Sequence, residues 1–202
     1  MTDQTIAHPD NVPPTAFTQA ELGWIPWLQP LTEPELTERH WTGLVDASRS
    51  KSDYFMLLAH DPEVLEARTK ADKDIFYNPN GGLPRAEREL SATATSRHNG
   101  CIFCASVHSR FASTHSKRRD DVQRLLDEGT GADLGERWNA VKDAAVTLTD
   151  TPSNFGQDEI AKLRAAGLDD FEITDVISAT SFFNWANRLM LSLGEPVPAK
   201  AV

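Results

Sequence analysis

Apolar residues along this chain recur at spacings of three and four, and almost nowhere with the strict alternation of a half-buried strand. The pattern predicts an all-α protein. After a polar lead, "GWIPWLQPLTEPE" holds Trp24, Trp27 and three prolines, and reads as an irregular arm laid over a hydrophobic surface. Thr32 and Glu35 form a capping-box pattern, with Pro34 tolerated in the first turn. The helix they open is expected to present Leu36, His40, Leu44 and Val45 on one side. A second helical region runs from Tyr54 to Asn78, broken near Asp61-Pro62, and "NPNGG" at 78–82 is a turn by composition. A third helix is expected from about Pro84 to an Asn99-Gly100 end, followed at once by one containing "CIFCASVHSRF". "RRDDVQRLLDEG" predicts a short amphipathic helix stopped by Gly129, and another spans Trp138 to Leu148. Two more close the pattern, "QDEIAKLRAAG" and "DDFEITDVISATSFFNWANRLMLSLG". The last is apolar on nearly every side from Val176 to Leu193, as expected of a central helix or a subunit interface. The organisation expected is a flexible lead and Trp/Pro-rich arm at 1–31, a helical domain at 32–194 and a tail at 195–202.

Composition narrows the class without changing that picture. Acidic residues outnumber Lys and Arg by 30 to 20, a formal charge of −10. Such a surface opposes unspecific binding to nucleic acid or to anionic membranes. The one basic run, "SKRR" at 116–119, is followed directly by "DD" and reads as a solvated helix start. No stretch approaches the roughly 18 apolar residues of a membrane span. The opening residues show no basic, apolar signal pattern, so the chain is expected in the cytoplasm. Two cysteines do not make a disulfide scaffold there, which turns attention to their chemistry.

Cys101, Cys104 and His108 are spaced by three and four and share one face of a helix. The pair follows Gly100, where a helix start would favour a thiolate through unpaired N–H groups and the helix dipole. His108 lies one turn from Cys104 and two from Cys101, so Cys104 is the better activated thiol by that argument. Cys101 is then placed to resolve a sulfenic acid as an intrachain disulfide. Against this stands the habit of CxxC helices, in which the first cysteine is usually the more acidic. Zinc ligation is a weaker reading, since His98, His115 and His108 cannot easily join both thiols on one tetrahedron from a continuous helix. A packed, inert pair is a further alternative. Glu89, twelve residues before Cys101, could be returned by a helix–turn–helix to orient His108, or could face water beside Glu87. His98 reads first as a helix cap and His115 as a distant secondary candidate. Phe103 and Phe111 are expected in pocket or core packing. Asn184, Asn187 and Arg188, polar groups in the apolar last helix, must find partners; a subunit interface is favoured over a pocket. His8, His40 and His60 carry no usable motif.

The stretch "ERELSATATSRHNGCIFCASVH" resembles the signature of the alkylhydroperoxidase AhpD-like branch of the carboxymuconolactone decarboxylase superfamily. That signature is a glutamate, eleven residues, CxxC, three residues and a histidine, met here by Glu89, Cys101, Cys104 and His108 without a gap. The resemblance covers roughly 60–150 best, and "SFFNWANRLMLSLG" is similar to the closing segment of peroxidase-related members. It implies an all-helical AhpD-like bundle that assembles as dimers, trimers or hexamers. It also implies a hydroperoxide as substrate, Cys104 as the attacking and Cys101 as the resolving cysteine, Glu89 and His108 as a proton relay, and an external dithiol or lipoyl-type reductant. No cofactor or metal is expected. The decarboxylases lack the cysteine pair, which argues against lactone decarboxylation. The family relay often has a further histidine between the cysteines; position 103 is Phe, leaving activation to His108. The function expected is a thiol-dependent peroxidase acting on hydroperoxides, organic ones first. The alternatives are a general dithiol-disulfide oxidoreductase or redox sensor, and a non-enzymatic helical oligomer with a structural or zinc-binding cysteine pair.

Overall fold

The computed structural model describes residues 5–198, so the first four residues of the expected lead and the last four of the expected tail lie outside it. The described residues form nine α-helices: α1 (Glu38–Leu44), α2 (Asp53–Leu58), α3 (Pro62–Tyr77), α4 (Arg85–His98), α5 (Ile102–Ser116), α6 (Arg119–Glu128), α7 (Glu136–Thr149), α8 (Gln157–Ala165) and α9 (Asp170–Leu193). The chain is all-α, as its periodicity predicts. Local chemistry sets most of the boundaries. Asp61 accepts a bond from the Val64 N–H and Pro62 occupies the first turn of α3, which fixes the break after α2. Asp169 and Glu172 form the capping box of α9. Gly100, at φ 76°, and Gly129, at φ 83°, take the left-handed backbone that ends α4 and α6.

Two segments depart from the expectation. The Thr32–Glu35 box does form, with the Thr32 N–H 2.7 Å from Glu35 Oε2. It caps only a single 3₁₀ turn, Glu33–Glu35. Thr37 then opens α1 with a second cap, its N–H donating to His40 Nδ1 at 3.0 Å, and Leu36 is left extended between the two. The expected face of Leu36, His40, Leu44 and Val45 is therefore not one helix. The second departure is a two-stranded antiparallel ribbon, β1 (Gly23–Pro26) against β2 (Gly194–Val197). Four-residue strands containing proline leave no readable alternation. Gly194 is needed there, because a Cβ would run into Ile25 O and the Trp24 ring. The ribbon seats Trp24 edge-on against Tyr54, ring centroids 5.6 Å apart.

The centre of the bundle is α4, RAERELSATATSRH, buried without interruption from Glu87 to Ser96. A sequence so polar can be buried because its hydroxyls serve their own helix. Ser91, Thr93 and Thr95 donate to the carbonyls four residues back, at 3.0, 2.7 and 2.8 Å. Their small side chains let α5, α7 and α9 approach closely. The charged groups are also answered: Arg137 grips both oxygens of Glu87 at 2.8 and 2.9 Å. Arg88 donates to the carbonyls of Leu83, Ile75 and Asn78. One apolar core, including Leu90, Leu125, Val141, Leu163 and Val176, lies on the α6–α8 side of α4. Each of these side chains contributes roughly 1.5–3 kcal/mol by leaving water. A second core, including Tyr54, Phe76, Phe182, Phe183 and Met190, encloses both cysteines. The α9 helix is central, as one of the two expected readings has it, though Trp185 and Leu191 stay about 40% exposed on its outer side. No helix among the described residues is long and apolar enough to cross a membrane.

Candidate active site

The turn between α4 and α5 sets the cysteines. After Gly100 reverses the chain, the Cys101 N–H donates to Ser96 O at 2.9 Å, closing α4. Cys101 then serves as the N-cap residue of α5, its own carbonyl accepting from the Ala105 N–H at 3.0 Å. Both thiols are free and buried, 2% and 5% exposed. Helical spacing carries Cys104, His108 and Phe111 down one wall of a cavity of about 260 Å³, closed on other sides by α2, α3 and α9. Phe103 and Val107 line it as well, with Phe76 and Phe183 opposite. Cys101 is not among the lining residues. Access therefore distinguishes the two sulfurs.

His108 is held by a carboxylate. Its Nδ1 lies 2.5 Å from Glu89 Oε2, and the other Glu89 oxygen accepts from Arg85 Nε at 2.6 Å. Glu89 is 1% exposed, so it does not face water. A carboxylate can only accept, which places the proton on Nδ1 and leaves Nε2 as the nitrogen able to take or give one. The ring is wedged against Phe183, centroids 4.0 Å apart, and Phe76 at 5.4 Å. Arg85 is itself stacked over Tyr77 at 4.1 Å. Sequence reasoning missed Arg85; its position four residues before Glu89 on one helix face was the available signal.

Acidity and access point to different sulfurs. The Cys101 thiol is lowered from the ordinary range, first by the Cys104 thiol and then by the Cys104 backbone N–H and the Asn187 amide, against the cost of burial. Cys104 is pushed well above that range by the Cys101 thiol and by its own burial, with Asn187 and the Arg68 charge pulling the other way. At rest the shared hydrogen bond between the two thiols, followed by the Cys104 backbone N–H, favours the anion on Cys101. What favours Cys104 is that it meets the cavity beside His108.

Asn187, singled out in the sequence without a place, sits beside the two thiols. It is fully buried within the chain, donating to Ser96 Oγ at 3.0 Å and accepting from Asn99 Nδ2 at 3.1 Å. Asn184 accepts from the same Asn99 amide at 3.0 Å and donates to Thr149 Oγ1 at 3.1 Å. These asparagines bind α9 to the α4–α5 turn; full burial corrects the favoured interface reading for Asn187, while Asn184 is half-buried and Arg188 exposed. The rule that buried polar groups must be partnered predicted partners but not which ones. His98 pairs with Asp150 at 3.1 Å, and His115 is exposed; neither lines the cavity. Among the described residues no three His, Cys, Asp or Glu side chains gather in an arrangement that could hold a metal ion.

Residues 62–147 match the family model for the carboxymuconolactone decarboxylase family. That span carries a domain of this family, and the chain as a whole has the fold of AhpD-like proteins. Its fold is similar to that of an uncharacterized peroxidase-related protein from Ralstonia eutropha JMP134, described as an alkylhydroperoxidase AhpD core. The identity is 22% over 93% of this chain and 92% of the other, with a TM-score of 0.69. An uncharacterized peroxidase-related protein from Silicibacter sp. TM1040 is 23% identical over 83% and 89%, also at 0.69. The debrominase Bmp8 is 16% identical over 81% and 88%, at 0.65. Comparison by sequence with curated proteins gives no match. The matched span holds Glu89, Cys101, Cys104 and His108. Tyr54 of α2 and Asn187 of α9 lie outside it.

Proposed function

We propose that the chain is a thiol-dependent peroxidase that reduces organic hydroperoxides through a Cys101–Cys104 dithiol/disulfide cycle. The observation that carries this reading is one apolar cavity in which a buried thiol, Cys104, meets a histidine fixed by a buried carboxylate. His108 Nε2 takes the Cys104 proton. The thiolate attacks one peroxide oxygen, an S–O bond forms as the O–O bond breaks, and the departing alkoxide takes the proton back from the imidazolium. Cys101 then displaces water from the Cys104 sulfenic acid, leaving a disulfide that an external dithiol must reopen. Because Cys104 is reached through the cavity, a slender dithiol of the lipoyl type suits the reopening better than a bulky protein thiol. A dithiol resting state also fits a reducing compartment such as the cytoplasm. The same fold serves a debrominase, so fold alone does not select the reaction; the thiol pair beside the relay is what supports the peroxidase reading.

The test is direct. One equivalent of cumene hydroperoxide should remove both thiols from the wild-type protein and yield a single peptide, two hydrogens lighter, in a non-reduced digest. Cys104→Ser should consume none, while Cys101→Ser should accumulate a sulfenic acid trapped by dimedone at 104. Two free thiols surviving excess hydroperoxide would sink the proposal, and dimedone labelling at Cys101 in the Cys104→Ser protein would invert the roles.

A further inference from the structure

The α2–α3 end of the cavity carries polar groups that the redox chemistry does not use. Tyr54, 9% exposed, and Arg68, 7% exposed, both line the cavity. Tyr54 Oη and Arg68 Nε are fully enclosed, and neither has a hydrogen-bond partner among the described residues. Arg68 spends one guanidinium nitrogen on Asp72, Nη1 to Oδ2 at 3.1 Å. That same carboxylate oxygen also faces Arg49 Nη2 at 3.9 Å, and Arg49 Nη1 is likewise without a partner. Two guanidinium groups thus draw on one Asp72 oxygen, with Asp46 a further negative neighbour of Arg49. Aromatic rings hold Arg68 out of water, with Phe182, Phe55 and Tyr54 at 5.2, 5.4 and 5.9 Å from its central carbon. Burial pushes the Tyr54 hydroxyl up to about 12, so it stays a donor at neutral pH.

An enclosed donor without an acceptor is costly, on the order of 1–3 kcal/mol each. Arginine offers no acceptor atoms at all. The group that satisfies both donors must therefore accept hydrogen bonds, and the local charge favours one that is negative. Apart from Ser52, Asp72 and the Cys104–His108–Glu89 group, the rest of the wall is aromatic and aliphatic. We infer that Tyr54 and Arg68 form a carboxylate subsite, so that the cavity takes small, otherwise apolar molecules ending in an acid group. Resting on the peroxidase reading, this makes the substrate a hydroperoxide with a carboxylate at one end and its O–O bond at Cys104. The Glu89 carboxylate beside His108 disfavours the acid at the relay, which leaves the unpartnered donors to hold it.

Binding tests the subsite apart from any turnover. Isothermal titration of the reduced wild-type protein with phenylacetate and with neutral phenylacetamide, without peroxide, should show the acid binding at least tenfold more tightly. Tyr54→Phe removes a hydroxyl that neighbours Arg68 and whose proton has no acceptor among the described residues. It should weaken phenylacetate about tenfold, leave phenylacetamide unchanged and not lower the melting temperature. Arg68→Lys, which keeps the charge but loses Nε, should narrow the acid-over-amide preference. Equal affinities for acid and amide, no binding of either at millimolar concentration, or unaltered phenylacetate affinity in Tyr54→Phe would each overturn the subsite. A protein that binds phenylacetate as expected yet consumes no hydroperoxide would leave the subsite standing and remove the peroxidase reading.

Discussion

Replacing Glu89 by Gln changes one oxygen to nitrogen at a position 1% exposed to solvent, and the structure sets what that should cost. The carboxylate accepts two charge-assisted bonds, from Arg85 at 2.6 Å and from His108 at 2.5 Å. Bonds of that kind contribute about 1.5–3 kcal/mol each, against about 1 for neutral ones. The amide has a single acceptor oxygen, so one donor loses its partner and the other keeps a weaker bond. Arg85 is 19% exposed, and water can take over part of its share. The net loss should be about 2 kcal/mol. For a chain of this length that lowers the melting temperature by roughly 4–8 °C. The functional effect should exceed the structural one, because an amide nitrogen facing Nδ1 no longer dictates which imidazole nitrogen carries the proton. Cys104 alkylation by iodoacetamide near neutral pH should slow at least tenfold. Scanning calorimetry and stopped alkylation mapped by mass spectrometry measure the two. A melting temperature within 1 °C of wild type, with an unchanged alkylation profile, would refute the Arg85–Glu89–His108 reasoning.

Four further outcomes are expected. Because each cysteine is the largest influence on the other, Cys101→Ala should lower the Cys104 thiol toward the ordinary range, and Cys104→Ala should raise that of Cys101; thiolate absorbance at 240 nm against pH reads both, and shifts in the same direction would contradict the coupling. Gly100→Ala, at φ 76° with nothing within 4 Å, should cost only the backbone term of about 1 kcal/mol, seen as a 2–4 °C fall in melting temperature with the thiols still oxidising normally. Asn187→Leu should destabilise by about 2–3 kcal/mol in urea unfolding, since Ser96, Asn99 and both sulfurs lose a shared partner. We propose a homo-oligomer that covers the exposed Trp185 side of α9, so Trp185→Glu should reduce the mass seen by light scattering, and a wild-type monomer at micromolar concentration would end that proposal.

The periodicity and the caps determined the helices, because each boundary rests on a few neighbouring residues: Asp61-Pro62, Gly100, Gly129, and Asp169 with Glu172. The spacing of Cys104 and His108 likewise put two side chains on one helix face before any fold was known, since a helix fixes that geometry by itself, whereas Cys101 caps the helix and does not line the cavity. Where the signal was local but doubled, as with the caps at Thr32 and Thr37, the nearer competition decided and the longer helix did not form. Burial is not local. Nothing in RAERELSATATSRH separates a solvated helix from the centre of a bundle, because its hydroxyls satisfy themselves either way. Only the packing of α5, α7 and α9 around it buried Glu89 and turned it toward His108. The same holds for the ribbon of Gly23–Pro26 with Gly194–Val197, for Asn187 beside the thiols, and for Tyr54 and Arg68 in the cavity wall. Each joins residues from separate helices or distant turns, and contacts of that range exist only after the chain has closed on itself.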